Sequence, residues 1–270
     1  MRHRSYSQFG RTTGFILLLL LMSQTPLNGW YAENHKRISR AGLQQLPEWE
    51  QAWLGASLDS LSQYFCWWPD AYNYLNHDNG FVTKRNLNFG EYVRLPLLNN
   101  LVPWHDTDDA DAAGCFYLVA TVMHNTIEDL QKDNVMRAAR HMGPLLHFFE
   151  DNACPVHVID DKYLAMRYPP PDHIQAKDLH RTVEEPTFEL SIEGYTPKLL
   201  GESIVEAANA VYPRFLENRQ NARIQAGHIL HAIYVDDRAT ADTHRANAAR
   251  PAAQLIADVV HTICTLAKTY

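Results

Sequence analysis

Apolar residues recur at helical spacing along nearly the whole chain from residue 30 to residue 270, and loops rich in Asn, Asp and Pro separate these segments. No internal repeat or linker interrupts this stretch, and 46% of all residues are hydrophobic, enough to fill one large core. We therefore predict an all-α fold with a single compact multi-helix domain over residues 30–270. The predicted helices cover residues 34–45, 47–66, 109–131, 134–151, 174–185, 198–218, 222–235 and 247–268, with long irregular stretches at 71–104 and 152–173.

Residues 1–29 have the layout of a secretory signal peptide: a basic start, an unbroken apolar segment at 15–22, and a polar stretch that ends at Gly29. The apolar segment is shorter than the ~20 residues that a membrane-spanning helix needs, so a permanent anchor is the weaker alternative. We expect cleavage between Gly29 and Trp30 and a secreted or periplasmic protein. Cleavage removes three arginines and no acid, which lowers the net charge from −7 to −10. A broad nucleic-acid-binding surface is not expected of so acidic a chain.

Export bears on the four cysteines, Cys66, Cys115, Cys154 and Cys264. In an oxidising compartment they could form disulfides, with three possible pairings, or each could be a small buried core residue. The sequence leaves both alternatives open. Because no two of them form a CxxC pair, their spacing argues against a metal site built from thiolates.

The strongest chemical signal lies in residues 146–157. His147 and Asp151 are four residues apart on a predicted helix, so their side chains share one face and can converge on one cation. Pro155 ends that helix and lets the chain return His157 to the same neighbourhood. Imidazole and carboxylate together are suited to zinc. A helix end with a core histidine is the alternative for this segment alone.

Two further elements offer the same kinds of ligand. His180 and Glu184 repeat the spacing of four, although taken alone they would be read as a surface pair. Cleavage after Gly29 would expose the α-amine of Trp30, which can lose its proton to a metal and form a chelate ring with its own carbonyl oxygen. His35 follows five residues later.

In order and spacing these elements resemble the ligand series of the bacterial zinc-dependent phospholipase C family, whose superfamily also contains the trinuclear-zinc single-strand nucleases of fungi and plants. The resemblance implies the all-α fold of that type and three zinc ions per chain, with Asp151 bridging two of them. The matching elements are Trp30 with His35, Trp68-Pro69-Asp70, Trp104-His105-Asp106, His147 with Asp151 and His157, and His180 with Glu184. The implied ligand sets are Asp70, His105, His147 and Asp151 for one ion; His157, His180 and Glu184 for a second; and the Trp30 amine and carbonyl, His35 and Asp151 for a third.

The position of His105 departs from the pattern, because it lies farther from Asp70 than the family resemblance leads us to expect. His77 and His124 are its rivals as ligands. His124 lies in an apolar helical run and is predicted to be a core histidine instead.

The resemblance implies hydrolysis of a phosphodiester by zinc-activated water, with Asp70 as both ligand and proton acceptor. Glu184 and the Pro-Asp form of the Asp70 motif favour the phospholipase branch, so we expect a secreted phospholipase C that releases diacylglycerol from phospholipids such as phosphatidylcholine at a membrane or micelle surface. Tyr72, Tyr74 and Trp104 could form a cage for the choline ammonium.

A single-strand nuclease or phosphodiesterase, and an inactive secreted zinc-binding protein, are the alternatives. Stacking of Tyr72, Tyr74 and Trp104 on nucleobases would fit the nuclease, and simple packing of these aromatics is also possible. A surface-acting lipase should carry an exposed apolar patch near the site, for which residues 95–101 and 163–168 are candidates.

Overall fold

The predicted helical architecture is present in the computed structural model, which describes residues 32–70, 112–184 and 186–269 and contains no β-strand within those ranges. The α-helices are α1 (Ala32–Leu43), α2 (Glu48–Leu54), α3 (Ser57–Ser60), α4 (Ala112–Gln131), α5 (Val135–Asp151), α6 (Pro155–Val158), α7 (Asp161–Arg167), α8 (Leu179–Glu184), α9 (Ile204–Tyr234) and α10 (Arg238–Thr269). A π-helical turn (Leu61–Phe65) follows α3, and a 3-10 turn (Ala176–Asp178) precedes α8.

The prediction of two helices at 198–218 and 222–235 is wrong, because α9 is continuous. The polar residues at the predicted break bind other helices instead of capping this one: Asn218 donates to the carbonyl of Phe149 at 3.0 Å, and Asn221 donates to that of Asn247 at 2.8 Å. Ser203 accepts the N–H of Glu206 and therefore begins the helix six residues later than predicted.

Other boundaries also differ from prediction. Helix α10 begins at Arg238, nine residues before the predicted start at 247, and α8 covers only the second half of the predicted helix 174–185. The stretch 152–173, predicted to be irregular, contains α6 and α7, each of them short. The predicted helix 47–66 is divided at Gly55, whose φ of 51° ends α2, and its second half becomes α3 and the π-helical turn.

Helix α5 runs through the core, and nearly all its side chains from Ala138 to Asp151 are buried. The long helices α9 and α10 pack against each other and against α4, and α10 also contacts α1 and α5. Phe148 of α5 stacks on Phe215 of α9 with ring centroids 4.8 Å apart. Complete burial of each of these rings contributes roughly 1.5–3 kcal/mol, which fixes α5 firmly in the centre of the domain.

Gly143 lets α5 approach the π-helical turn closely, since a Cβ at this position would lie 2.5 Å from the backbone oxygen of Phe65. This contact brings the residues after the turn, Cys66 and then Asp70, against the C-terminal half of α5. The approach of these two backbones thus determines where the predicted ligands meet.

All four cysteines are buried and free, which favours the core alternative over disulfide pairing. Among the residues that the structure describes, no helix combines the length and the apolar character needed to cross a membrane. The predicted signal peptide lies outside the described residues.

Candidate metal centre

Four predicted ligands meet in one buried group, which we call cluster A: His35, Asp70, His147 and Asp151. The Nε2 atom of His35 lies 3.3 Å from Oδ2 of Asp70 and 3.6 Å from Oδ1 of Asp151. Nε2 of His147 lies 3.1 Å from Oδ2 of Asp151 and 3.6 Å from Oδ1 of Asp70. The two imidazole rings stack with centroids 4.4 Å apart. Both Nε2 atoms therefore face the same two carboxylates.

The other ring nitrogen of each histidine in cluster A has a separate partner. Nδ1 of His35 donates to Oε2 of Glu150 at 2.7 Å, and the hydroxyl of Ser39 donates to the other oxygen of Glu150. Nδ1 of His147 donates to the carbonyl oxygen of Cys66 at 2.9 Å. These contacts fix the ring orientations and direct Nε2 at the carboxylates, as second-shell partners do in metal sites.

The remaining predicted ligands that the structure describes, His157, His180 and Glu184, form a second group together with Cys154, which we call cluster B. Oε2 of Glu184 lies 3.5 Å from Nε2 of His157 and 3.2 Å from Nε2 of His180. One ligand atom from each of Cys154, His157 and Glu184 lies within 4.8 Å of the others. Nδ1 of His180 donates to Oδ2 of Asp161 at 3.1 Å, which repeats the arrangement of cluster A.

Backbone contacts from two other helices hold the end of α8, which carries Glu184. The buried guanidinium of Arg245 on α10 donates to the carbonyls of Val183 at 2.7 Å and Thr182 at 2.9 Å. The side chain of Asn34 donates to the carbonyl of Glu184 at 2.9 Å. Because Asn34 is adjacent to His35, helix α1 contacts both clusters and fixes their relative position.

Counting Glu150, the negatively charged groups of cluster A outnumber the groups that can carry positive charge. Burial opposes protonation of His35, but the hydrogen bonds and charges of Asp70 and Glu150 outweigh it and raise its pKa well above the ordinary value. Burial also raises the pKa of Glu150, against the contacts from His35 and Ser39. Three buried carboxylates, counting Glu150, thus face two imidazoles.

Cluster B shows the same tendency. Burial lowers the pKa of His157, but Asp151 and Glu184 reverse this and raise it. For His180, burial is again outweighed, here by Asp161 and Glu184, and the pKa rises to about 10. Because Asp151 belongs to cluster A, its effect on His157 shows that the two clusters interact electrostatically.

The distances in both clusters suit metal ligation. With bonds of about 2.0–2.1 Å, two ligand atoms of a tetrahedral zinc ion are about 3.3 Å apart. The N···O distances between imidazole and carboxylate atoms run from 3.1 to 3.6 Å and so bracket this value. Two buried triads, His35 with His147 and Asp151, and Cys154 with His157 and Glu184, could each hold a metal ion.

The structure thus brings together every predicted ligand that it describes. Trp30 and His105, the alternative ligand His77, and the predicted substrate-binding residues Tyr72, Tyr74 and Trp104 lie outside the described residues. The prediction that His124 is a core histidine is wrong. Its side chain is 60% exposed, pairs with Glu128 at 3.2 Å, and belongs to neither cluster.

Sequence reasoning missed three residues of the site. Glu150 and Asp161 position histidines, and Cys154 belongs to one of the two triads, although it was not among the predicted ligands. Two signals could have found them: Glu150 adjoins Asp151, and Cys154 lies three residues before His157.

Comparisons with protein-family models, with curated proteins and with solved structures found no match. Function is therefore inferred from the geometry of clusters A and B together with the sequence motifs.

Proposed function

We propose that this chain is a secreted zinc-dependent phosphoric diester hydrolase that acts as a phospholipase C. The observation that carries the proposal is the distance between imidazole nitrogens and carboxylate oxygens. In both clusters it matches the distance between two ligand atoms of a tetrahedral zinc ion. Nitrogen and oxygen donors of this kind suit zinc. Bound zinc would supply a Lewis acid that lowers the pKa of a water molecule and neutralises charge on the phosphoryl oxygens.

Within the chain, Asp70 is the candidate for proton transfer. Like His35, His147 and Asp151, it is buried. Its two oxygens face different imidazoles, Oδ2 toward His35 and Oδ1 toward His147. A carboxylate in this place can both hold a metal and orient or accept the proton of an attacking water.

Asp151 would be shared by two ions, because its two oxygens face different histidines of cluster A, Oδ1 toward His35 and Oδ2 toward His147. The third ion of the proposal would be held by His35, Asp151 and the N-terminal amine and carbonyl of Trp30. This requires export and cleavage after Gly29. Mass spectrometry of the exported protein should find Trp30 as the first residue, and a different mature start would eliminate the third ion.

An exposed face of α7 favours phospholipid over nucleic acid. Tyr163 and Met166 are 52% and 71% exposed, and the cations Lys162 and Arg167 flank them. Asp161, the first residue of the same helix, contacts the cluster B ligand His180. Aromatic and apolar side chains between cations suit contact with a lipid surface, and the helix that carries them contacts cluster B.

One substrate comparison tests the proposal: zinc-loaded protein is assayed on phosphatidylcholine vesicles and on single-stranded DNA. We expect release of diacylglycerol from the vesicles. His147→Ala should abolish this activity, whereas His124→Ala, which removes a histidine outside both clusters, should retain it. Cleavage of DNA alone would replace phospholipase with nuclease, and full metal binding without hydrolysis of either substrate would show an inactive zinc-binding protein.

The lipid-contacting face has its own test. The double variant Tyr163→Ser/Met166→Ser should lose activity on vesicles but keep it on short-chain phosphatidylcholine below its micelle concentration. Ile224→Ser, on α9 and 55% exposed, is the matched control. Equal loss on both substrates would mean that α7 does not act through the lipid surface.

A further inference from the structure

Cluster B contains a buried thiol that neither the sequence motifs nor the proposed ligand sets use. Cys154 is fully buried, and its sulfur lies within 4.8 Å of ligand atoms of His157 and Glu184. It occupies the N-cap position of α6, and its carbonyl accepts the N–H of His157 at 3.1 Å. This short turn holds the thiol and the imidazole on the same side of the backbone.

We propose that the Cys154 thiolate is the fourth ligand of the ion in cluster B, together with His157, His180 and Glu184. Around a tetrahedral zinc ion, sulfur at about 2.3 Å and nitrogen at about 2.0 Å are about 3.6 Å apart. Ligand atoms of Cys154, His157 and Glu184 lie within 4.8 Å of one another, so closure to about 3.6 Å is a movement of about one ångström. His180 joins this triad through Glu184, whose Oε2 lies 3.2 Å from Nε2 of His180. The Sγ–H proton passes to solvent as the Sγ–metal bond forms, and no redox change takes place.

Charge balance supports sulfur ligation. The two imidazoles are neutral when they bind a metal, so Glu184 alone would leave a divalent ion with a net charge of about +1 in a site where His157 and Glu184 are 5% and 4% exposed. A thiolate makes the site neutral. Sulfur also favours zinc over magnesium, calcium or manganese, which prefer oxygen ligands.

Four protein ligands leave no open position in cluster B, since zinc sites of this kind are four-coordinate. The substrate phosphate and the attacking water would then bind at cluster A, where the two oxygens of Asp70 face different imidazoles. Sulfur ligation shares with the proposed function only the premise that cluster B holds a metal ion. It does not depend on which diester is hydrolysed.

Cobalt(II) spectroscopy tests the proposal without measuring activity. Cobalt-loaded wild-type protein should show an intense near-ultraviolet thiolate-to-cobalt charge-transfer band. Cys154→Ala should lose this band and bind zinc about a hundredfold more weakly, with a smaller loss for manganese. Cys115→Ala removes another fully buried sulfur, from α4, and should keep both the band and the zinc affinity.

X-ray absorption of zinc-loaded wild-type protein gives a second test that needs no variant. A sulfur neighbour at about 2.3 Å is expected. A shell of nitrogen and oxygen alone, or a charge-transfer band that survives in Cys154→Ala, would overturn the proposal. Protein that shows sulfur ligation but hydrolyses no diester would defeat the proposed function only, and active protein without sulfur ligation would defeat this inference only.

Discussion

Replacement of Asp151 by Asn should remove more than one metal ion, because the two oxygens of this side chain face different histidines of cluster A, His35 and His147. A structural zinc ion with four ligands binds with about 10–16 kcal/mol, or roughly 3 kcal/mol for each ligand. Loss of one charged ligand therefore weakens a site by about a hundredfold. A carboxylate shared by two ions should impose this loss at two sites at once.

Metal content of Asp151→Asn is measured by mass spectrometry under native conditions at a zinc concentration about tenfold above the wild-type Kd. We expect at least two fewer zinc ions per chain than in the wild type. Asp129→Asn is the matched control, because Asp129 is equally buried but pairs with His141 at 3.1 Å on the α4–α5 hairpin. Retention of every ion by Asp151→Asn, or loss of only one, would refute the shared carboxylate.

Three other variants test the positioning, packing and electrostatics of the domain. Glu150→Gln weakens the hydrogen bond that orients His35 and should lower metal affinity by about 10–100-fold in a zinc titration; unchanged affinity would contradict a positioning role. Gly143→Ala places a Cβ 2.5 Å from the Phe65 backbone and should destabilise the domain by about 1–3 kcal/mol in urea unfolding, whereas unchanged stability would show a looser contact. Burial raises the pKa of Glu50 above its ordinary value of 4.5. The contribution of Glu50 to the free energy of unfolding is therefore complete below pH 4.5 and is lost as the pH rises through the raised pKa. In thermal unfolding, the Tm of Glu50→Gln relative to that of the wild type should rise with pH between 4.5 and the raised pKa. A difference in Tm that does not change with pH would refute this prediction.

Local periodicity was enough to predict three helices closely, since α1, α4 and α5 lie within three residues of their predicted bounds. Predicted helix boundaries were wrong where contacts between distant parts of the chain determine whether a helix continues. The polar residues near Asn218 predict a helix break, but the carbonyl of Phe149 on another helix satisfies the amide and the helix continues. No pattern within α9 contains that information.

For the site as well, features within one helix could be predicted from the sequence, and contacts between helices could not. Pairs at a spacing of four, such as His147 with Asp151, could be read from the sequence because a helix places them on one face. Glu150 could not be assigned, because its role depends on the packing of α1 against α5, which brings His35 to it. The exposure of His124 was missed for a related reason: an apolar run predicts a buried helix but does not show which face of it stays in solvent.

Metal binding and folding should be linked in this domain, because α5 contributes to both the core and cluster A. Phe148 of α5 stacks on Phe215 in the core, while His147, its neighbour in sequence, faces the carboxylates of cluster A. Burial of the ionised carboxylates Asp70 and Asp151 costs several kcal/mol each unless nearby positive charge compensates for it. Protons on the histidines can supply part of that charge, but they occupy the nitrogens that would otherwise bind a metal. A divalent ion supplies the charge through those same nitrogens, so its removal should weaken the core as well as the site.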